Sequence, residues 1–246
     1  MSNEKESKLY RKAGSWKCEN VTEAAGVRGN GGIKSGVTIV SGKANGYPDI
    51  YLARTSLQKG DGPQPERKNQ LFINQKNGTF KEEAARYGLD SDRATNHANF
   101  FDYDGDGDLD CYLLNNSTRS TTGYNAKKGL REIPDPEGGN KLLRNMTMER
   151  ALRSASPSVS ASLTTSSLSS GEGLGEVERA KRASTATTPA TSVQPTFEDA
   201  TQSANIYSSA IGFGLGVTVG DINEDVLPDL FVSNDYFERD YLYFNT

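Results

Sequence analysis

The densest set of chemically active side chains is a short acidic loop at residues 102–110. Its first, third, fifth and ninth positions are carboxylates, and its sixth position is a glycine, Gly107. A hard cation such as Ca²⁺ takes about six to eight oxygen ligands, and alternate residues of a tight loop can supply them. Gly107 gives the backbone the freedom that the sharp turn requires. The predicted ligands are the carboxylates of Asp102, Asp104, Asp106 and Asp110 and the backbone carbonyl of Asp108, whose own carboxylate is expected to point outward.

This loop differs both from an EF-hand and from an ordinary solvated turn. An EF-hand has a bidentate Glu at its twelfth position, where this sequence has Leu113, and its flanks are helices. Asp-Gly pairs are also common in hairpin turns that bind no metal. However, four carboxylates within nine residues would repel one another if no cation were present. The sequence therefore predicts that Ca²⁺ binds this loop.

A second loop, at residues 221–229, repeats the pattern with two changes. The predicted side-chain ligands are Asp221, Asn223, Asp225 and Asp229, with the backbone carbonyl of Leu227 at position seven. Val226 replaces the glycine at position six. A β-branched residue held at positive φ costs on the order of 1–2 kcal/mol. The sequence therefore predicts a second, weaker calcium site.

A third loop, at residues 41–49, has lost most of the pattern. Positions one, three, five and nine are Ser41, Lys43, Asn45 and Asp49, so one carboxylate remains and an ammonium group replaces a ligand. We expect Lys43 to pair with Asp49 and this loop to bind no metal.

The segments around these loops repeat along the chain. Residues 36–54, 97–115 and 216–234 each consist of a β-prone run, a polar turn and a second β-prone run, which we name elements A and B. Element C follows at 69–75, 140–146 and 240–246, and element D occurs at 16–27, 78–89 and 195–206. Units of four short strands that recur about every 60 residues are typical of β-propeller blades. The sequence predicts an all-β fold, a partial β-propeller of about three four-stranded blades with calcium-binding A–B loops.

The chain divides into four regions on this interpretation. Residues 1–15 are predicted to be a disordered tail, and residues 16–145 to contain repeats one and two. Residues 146–194 are predicted to be a disordered insertion, because residues 154–192 are rich in Ser and Thr and almost free of large apolar side chains. Residues 195–246 then complete repeat two and form an incomplete repeat three. The D element at residues 16–27 could pair with the last A-B-C set, although three blades are too few for an ordinary ring, which favours a fragment of a longer protein.

Composition narrows the classes of function. The net charge is −4 with no basic block, so nucleic acid is not expected as a partner. No apolar run is long enough for a transmembrane helix, and the charged N-terminus does not resemble a secretory signal. Both cysteines, Cys18 and Cys111, lie in β-prone runs and are predicted to be buried free thiols. The single histidine, His97, leaves little basis for triad or zinc chemistry.

Four strings of sequence resemble the FG-GAP/VCBS repeats, which also form the propellers of integrin α chains. The resemblance extends to the ASPIC/UnbV-associated proteins and the cartilage acidic protein group. It implies a Ca²⁺-stabilised propeller in a secreted, periplasmic or cell-surface protein that works in adhesion or ligand binding. It also implies a metal-binding role for the side chains of both acidic loops. The strings are WKCENVTEAAGV, NQLFINQKNGTF, HANFFDYDGDGDLDCYLLN and AIGFGLGVTVGDINEDVLPDLFVSNDYFERDYLYFN.

The expected function is structural calcium binding in a propeller that recognises a protein or a glycan. No enzymatic activity is expected, because no convincing pair of carboxylates lies outside the loops. The main alternative is the propeller part of a polysaccharide-degrading enzyme. A calcium buffer would require high-affinity sites that exchange freely, whereas mixed ligand sets favour weak, extracellular-type affinity.

Overall fold

The computed structural model describes residues 6–29, 32–40, 46–55, 68–117, 129–135, 138–147 and 197–246. Within these ranges the chain is dominated by antiparallel strands arranged in four sheets, which confirms the predicted all-β class. The two helices found there have four residues each, far fewer than the roughly 20 that a bilayer-spanning helix needs. The predicted insertion at 146–194 lies almost entirely outside the described residues, as does Lys43.

The N-terminal region is more ordered than the sequence suggests. Strands β1 (Tyr10–Gly14) and β2 (Lys17–Asn20) form an antiparallel hairpin, in which Arg11 pairs across the strands with Glu19 at 2.9 Å. The prediction of a disordered tail up to residue 15 is therefore wrong for β1. Cys18 was predicted to be buried and is exposed, because both faces of this hairpin are exposed to solvent.

A short helix, α1 (Thr22–Ala25), follows β2 and ends at Gly26, which has a left-handed φ of 72°. Helix α1 packs on the first of the larger sheets, where Ala25 and Val27 contact Leu52 and Phe72. In the structure β2 therefore pairs with β1, and the predicted pairing of residues 16–27 with the last repeat is not formed.

The first sheet contains four strands in the order of the chain. Its strands are β3 (Ile33–Val40), β4 (Asp49–Thr55), β5 (Gln70–Asn74) and β6 (Phe80–Glu82). They correspond to elements A, B, C and D of the first repeat. Helix α2 (Ala84–Tyr87) follows β6 and ends at Gly88 with a φ of 75°, as α1 does after β2.

The second sheet has the same four-stranded order. Its strands are β7 (Thr95–Phe101), β8 (Asp110–Asn115), β9 (Lys141–Asn145) and β10 (Phe197–Asp199). Strand β10 pairs with β9 although 51 residues separate them in the sequence, so an insertion is accommodated between the third and fourth strands.

The third sheet has three strands among the described residues, β11 (Gly214–Gly220), β12 (Asp229–Asn234) and β13 (Tyr241–Tyr243). The three larger sheets are joined by apolar layers. One layer combines Tyr51 and Leu71 of the first sheet with Leu113 of the second, and α2 contributes Tyr87. The next combines Tyr112 and Leu142 of the second sheet with Leu230 and Val232 of the third. The loops at residues 102–109 and 221–228 connect the first two strands of the second and third sheets.

Candidate metal centre

The acidic loop at residues 102–109 is the tight connection between β7 and β8. Phe101 pairs with Asp110 at the last rung of the ladder, so the strands end where the loop begins. The chain turns there through two glycines at positive φ, Gly105 at 73° and Gly107 at 91°. The turn requires this conformation, which is why glycine is favoured at both places. A rigid hairpin therefore presents the carboxylates at one end of the second sheet.

The structure brings three of the predicted ligands together. One carboxylate oxygen from each of Asp102, Asp104 and Asp106 lies within 4.8 Å of the other two. The loop backbone fixes Asp102, whose two oxygens accept hydrogen bonds from the Gly105 and Gly107 N–H groups at 2.8 and 3.0 Å. Backbone donors thus orient this carboxylate before any cation binds.

Asp106 supplies the clearest sign that the cluster suits a cation. Its Oδ1 accepts a hydrogen bond from the Asp108 N–H at 3.0 Å. Its Oδ2 is shielded from solvent and accepts no hydrogen bond from any of the described residues. A shielded carboxylate oxygen without a donor is unfavourable, and an oxygen-seeking cation would remove that cost.

Arg144 is the counter-charge of the cluster. This residue of β9 forms an ion pair with Asp104, and both side chains are largely shielded from solvent. The guanidinium therefore offsets part of the negative charge of the loop.

Asp108 departs from the prediction, because its carboxylate does not point freely outward. The residue is only partly exposed and its Oδ1 is shielded.

Asp110 is buried and forms hydrogen bonds through both oxygens. Its Oδ2 accepts from the Tyr103 N–H and its Oδ1 from the Asn145 N–H, each at 2.7 Å. Burial and, to a smaller extent, the nearby Asp104 and Asp108 carboxylates outweigh the two N–H donors and raise the pKa of Asp110 to about 7. As a calcium ligand, Asp110 would use lone pairs that these donors leave free.

The loop at residues 221–229 has the same backbone design. The oxygens of Asp221 accept from the Asp225 and Val226 N–H groups at 3.1 and 2.9 Å, as Asp102 accepts from its two glycines. Asn223 donates its side-chain amide to Asp225 Oδ2 at 2.8 Å, and Leu227 N–H donates to Asp225 Oδ1 at 2.9 Å. The internal contacts of this loop thus occupy more of the predicted ligand atoms than those of the first.

Val226 has the strained conformation that the sequence predicts. Its φ is 75°, and Glu224, which replaces Gly105, has a φ of 63°. Both positions are glycines in the loop of the second sheet and bulkier residues here. Val226 is 88% exposed, so little packing compensates for the strain. Of the two loops, only this one therefore carries the free-energy cost of non-glycine residues at positive φ.

The ninth loop position has a structural role that sequence reasoning missed. Three equivalent carboxylates, each the first residue of its strand, accept a backbone hydrogen bond from an asparagine on the neighbouring strand or just after it. The pairs are Asp49 with Asn74 at 2.7 Å, Asp110 with Asn145 at 2.7 Å and Asp229 with Asn245 at 3.0 Å. The signal was an asparagine at the same register of every C element, as in NQLFIN, LLRN and LYFN.

This contact holds independently of the other loop residues. Asp49 makes it although its own loop lacks the other carboxylates. Ser41, Lys43 and Asn45 lie outside the described residues, so the predicted pairing of Lys43 with Asp49 stays a prediction.

Burial acts to raise the pKa of Asp229, but the N–H groups of Ile222 and Asn245 lower it below its ordinary value. Backbone donors thus favour the ionised form of this carboxylate.

We expect Val226→Gly to stabilise the protein by about 1 kcal/mol in EDTA. The substitution removes the strain of a β-branched residue at positive φ, and part of the gain is lost to the greater entropy of glycine in the unfolded chain. Urea-induced unfolding measures the difference. The reverse change at the equivalent position, Gly107→Val, should cost about 1–2 kcal/mol. Equal stability of all three proteins would show that neither loop needs the left-handed conformation.

Comparison with known proteins supports one part of the resemblance. Residues 43–113 match a family described as FG-GAP-like repeat. The match extends from the first A–B loop through β4, β5, β6 and β7 into β8, and therefore includes the whole acidic loop at 102–110. No curated protein matches the chain significantly. The narrower likeness to the ASPIC/UnbV and cartilage acidic protein groups is not supported by these comparisons.

Proposed function

We propose that this chain forms part of a calcium-stabilised β-propeller. Asp102, Asp104 and Asp106 would hold the principal ion, with the backbone carbonyl of Asp108 and the carboxylate of Asp110 as further ligands. The observation that carries the proposal is the shielded Oδ2 of Asp106, which has no donor within the described ranges and lies beside two further carboxylates. The match to an FG-GAP-like repeat across this loop agrees with it. Bound Ca²⁺ would supply charge neutralisation and would fix the turn.

A weaker site would form in the loop of the third sheet. Its ligands would be Asp221, Asn223, Asp225 and Asp229, with the backbone carbonyl of Leu227. The strain at Val226 and the hydrogen bond between Asn223 and Asp225 both oppose a compact ligand shell. We therefore place the principal calcium-dependent stabilisation in the loop of the second sheet.

The role of such a propeller would be recognition of a protein or a glycan in an extracellular, periplasmic or cell-surface setting. Rigid strand ends would hold the loops that form the contact surface. The protein would act without catalysis, since the best-organised carboxylates in the described ranges are those proposed to bind calcium. If the propeller belonged to a polysaccharide-degrading enzyme, the purified chain, or a longer protein that contains it, would cleave uronate-containing glycans.

The proposal is tested by thermal unfolding in EDTA and in millimolar Ca²⁺. Calcium at ten times its Kd stabilises the folded state by about 1.4 kcal/mol. For a domain of this size that corresponds to a rise in Tm of roughly 3–6 °C. Asp104→Ala should lose most of this rise, because it removes a ligand. Asp92→Ala is the matched control, because it removes an exposed carboxylate outside the loops. Identical melts of the wild-type protein in the two buffers would disprove the calcium site.

A further inference from the structure

Arg144 places a positive charge at the acidic loop of the second sheet. It lies on β9 immediately before Asn145, and its guanidinium forms an ion pair with Asp104. The two side chains are 32% and 17% exposed, so the pair is partly removed from solvent. Water and salt screen a partly shielded pair less than a fully exposed one. The charge of Arg144 therefore acts on the loop at physiological ionic strength.

The three sheets differ at the register position of Arg144, which comes just before the asparagine of each C element. The second sheet has a basic side chain there, whereas the first and third sheets have apolar ones. The residues, in the order of the sheets, are Ile73, Arg144 and Phe244. The A–B loops of these sheets contain one, five and four acidic residues in the same order. The basic side chain thus belongs to the sheet with the most acidic loop.

The charge of Arg144 meets the third position of that loop. One oxygen of the Asp104 carboxylate there lies within 4.8 Å of an oxygen from each of the two other carboxylates in the cluster. Like charges at such distances repel one another. The loop of the third sheet has an amide at the same position, because Asn223 donates to Asp225 Oδ2 at 2.8 Å. Each loop thus has a donor that faces its carboxylates, and in the second sheet β9 supplies it.

Arg144 also has an acidic neighbour across the sheet. Glu198 of β10 lies directly opposite Arg144 in the antiparallel pair. Directly opposed side chains share one face, with Cβ atoms about 4.5–5.5 Å apart, and opposite charges in such pairs attract each other. The guanidinium therefore keeps a carboxylate neighbour on its own sheet when Asp104 turns away from it.

We propose that Arg144 is a tethered counter-ion that sets the calcium affinity of the loop at residues 102–110. This inference rests on the proposed calcium site. In calcium-free protein, Arg144 pairs with Asp104 and holds the carboxylates close together against their mutual repulsion. In calcium-loaded protein, Arg144 gives up Asp104 as a ligand and retains Glu198. Because this exchange costs free energy, the loop holds calcium less tightly than the same carboxylates without Arg144, and it keeps its shape at low calcium.

The affinity is tested by calorimetric titration of the full chain with Ca²⁺. All proteins carry Asp225→Ala, which removes a proposed ligand of the loop of the third sheet. In that background Arg144→Met should lower the Kd about tenfold, because it removes a positive charge beside a divalent cation. Arg144→Lys keeps the charge and should stay within about threefold of the parent. Lys141→Met is the matched control, because it removes a charge of the same strand whose partner, Asp199, lies outside the loops.

Two outcomes of this titration overturn the proposal. Weaker binding by Arg144→Met would show that Arg144 orients Asp104 for the cation, and unchanged binding would show that its charge does not affect the site. The role of Glu198 is tested by Glu198→Gln, which should raise the Kd about threefold, because Asp104 is then the remaining carboxylate for Arg144. An unchanged Kd for this variant overturns the exchange between the two carboxylates.

The counter-ion is tested without calcium by thermal unfolding in EDTA. Arg144→Met should lower the Tm by about 2–4 °C, because the carboxylates then lack their counter-charge. In an Asp104→Asn background the same change should lower the Tm by roughly half as much or less, because the two residues act as a pair. Equal losses in both backgrounds overturn the counter-ion.

These measurements separate the inference from the calcium site on which it rests. A wild-type protein without a calcium-dependent rise in Tm, but with coupling between Arg144 and Asp104 in EDTA, would disprove the calcium site and leave Arg144 as a structural ion pair, which overturns its role in affinity. A calcium-dependent rise in Tm together with an unchanged Kd for Arg144→Met would contradict the role of Arg144 alone.

Discussion

Replacing Asp110 by alanine lowers the free energy of unfolding by about 3–5 kcal/mol, and does so in EDTA as well as in calcium. Asp110 is buried and accepts hydrogen bonds from the backbone of Tyr103 and Asn145. Alanine leaves both donors without an acceptor, and a buried unsatisfied N–H costs about 1–3 kcal/mol. Urea-induced unfolding in the two buffers measures the loss.

Two further variants separate this structural role from calcium binding. Asp110→Asn should cost about 1–2 kcal/mol in EDTA, because the amide retains one acceptor and resembles the protonated acid that the raised pKa favours. Asp49→Ala should cost about 1–3 kcal/mol in both buffers, because it leaves the Asn74 N–H without its acceptor although its loop lacks the other carboxylates. If Asp110→Ala destabilised the protein only in calcium, the backbone contacts would be unimportant and Asp110 would act as a ligand alone.

The loops were predictable from sequence because their information is local. Carboxylates at alternate positions of a short turn define the cluster, and the left-handed φ of Val226 follows from the alignment with Gly107. The strands around them were predictable because each alternates apolar side chains between two glycine-rich or polar turns. Each carboxylate cluster can be inferred from about ten neighbouring residues, and the φ of Val226 needs in addition the comparison of the two loops.

The contacts of Asp110 were not predictable in the same way. Asn145, which donates to Asp110, is 35 residues away in the sequence. Arg144, the counter-charge of Asp104, is also on β9. Both contacts depend on the register between β8 and β9, which a single sequence does not fix to one residue. Sequence reasoning therefore assigned Asp110 to the metal alone and missed its role between the strands.

The N-terminal prediction failed for a different physical reason. Strand β1 has the sequence YRKAG, which lacks an alternating apolar face, so no hydrophobic pattern marks it as a strand. Its order comes from pairing with β2 and from contacts between Leu9 and the α1 region, where Thr22 Oγ1 accepts the Leu9 N–H at 2.8 Å. The repeat alignment still matched residues 16–27 with residues 78–89, which both contain a strand, a four-residue helix and a glycine at positive φ, although it predicted no helix in either.

Replacing Tyr51 by alanine should destabilise the protein by about 3–5 kcal/mol, as for other buried aromatic side chains. Tyr51 is wholly buried between the first and second sheets and contacts Phe100 edge-on. Its hydroxyl donates to the Leu89 carbonyl at 3.0 Å. Because this layer joins two sheets, its loss should also increase exposure of the acidic loop to solvent. Urea-induced unfolding gives the free energy.

The hydroxyl and the ring of Tyr51 can be separated with one conservative variant. Tyr51→Phe retains the ring and should cost about 1–2 kcal/mol, because it leaves the buried Leu89 carbonyl without its donor. Tyr47→Ala is the matched control at a tyrosine that is 42% exposed, and should cost less than about 1 kcal/mol. Equal losses for Tyr51→Ala and Tyr47→Ala would mean that the layer between the sheets does not hold them together. A loss for Tyr51→Phe as large as that for Tyr51→Ala would instead assign the stability to the single hydrogen bond.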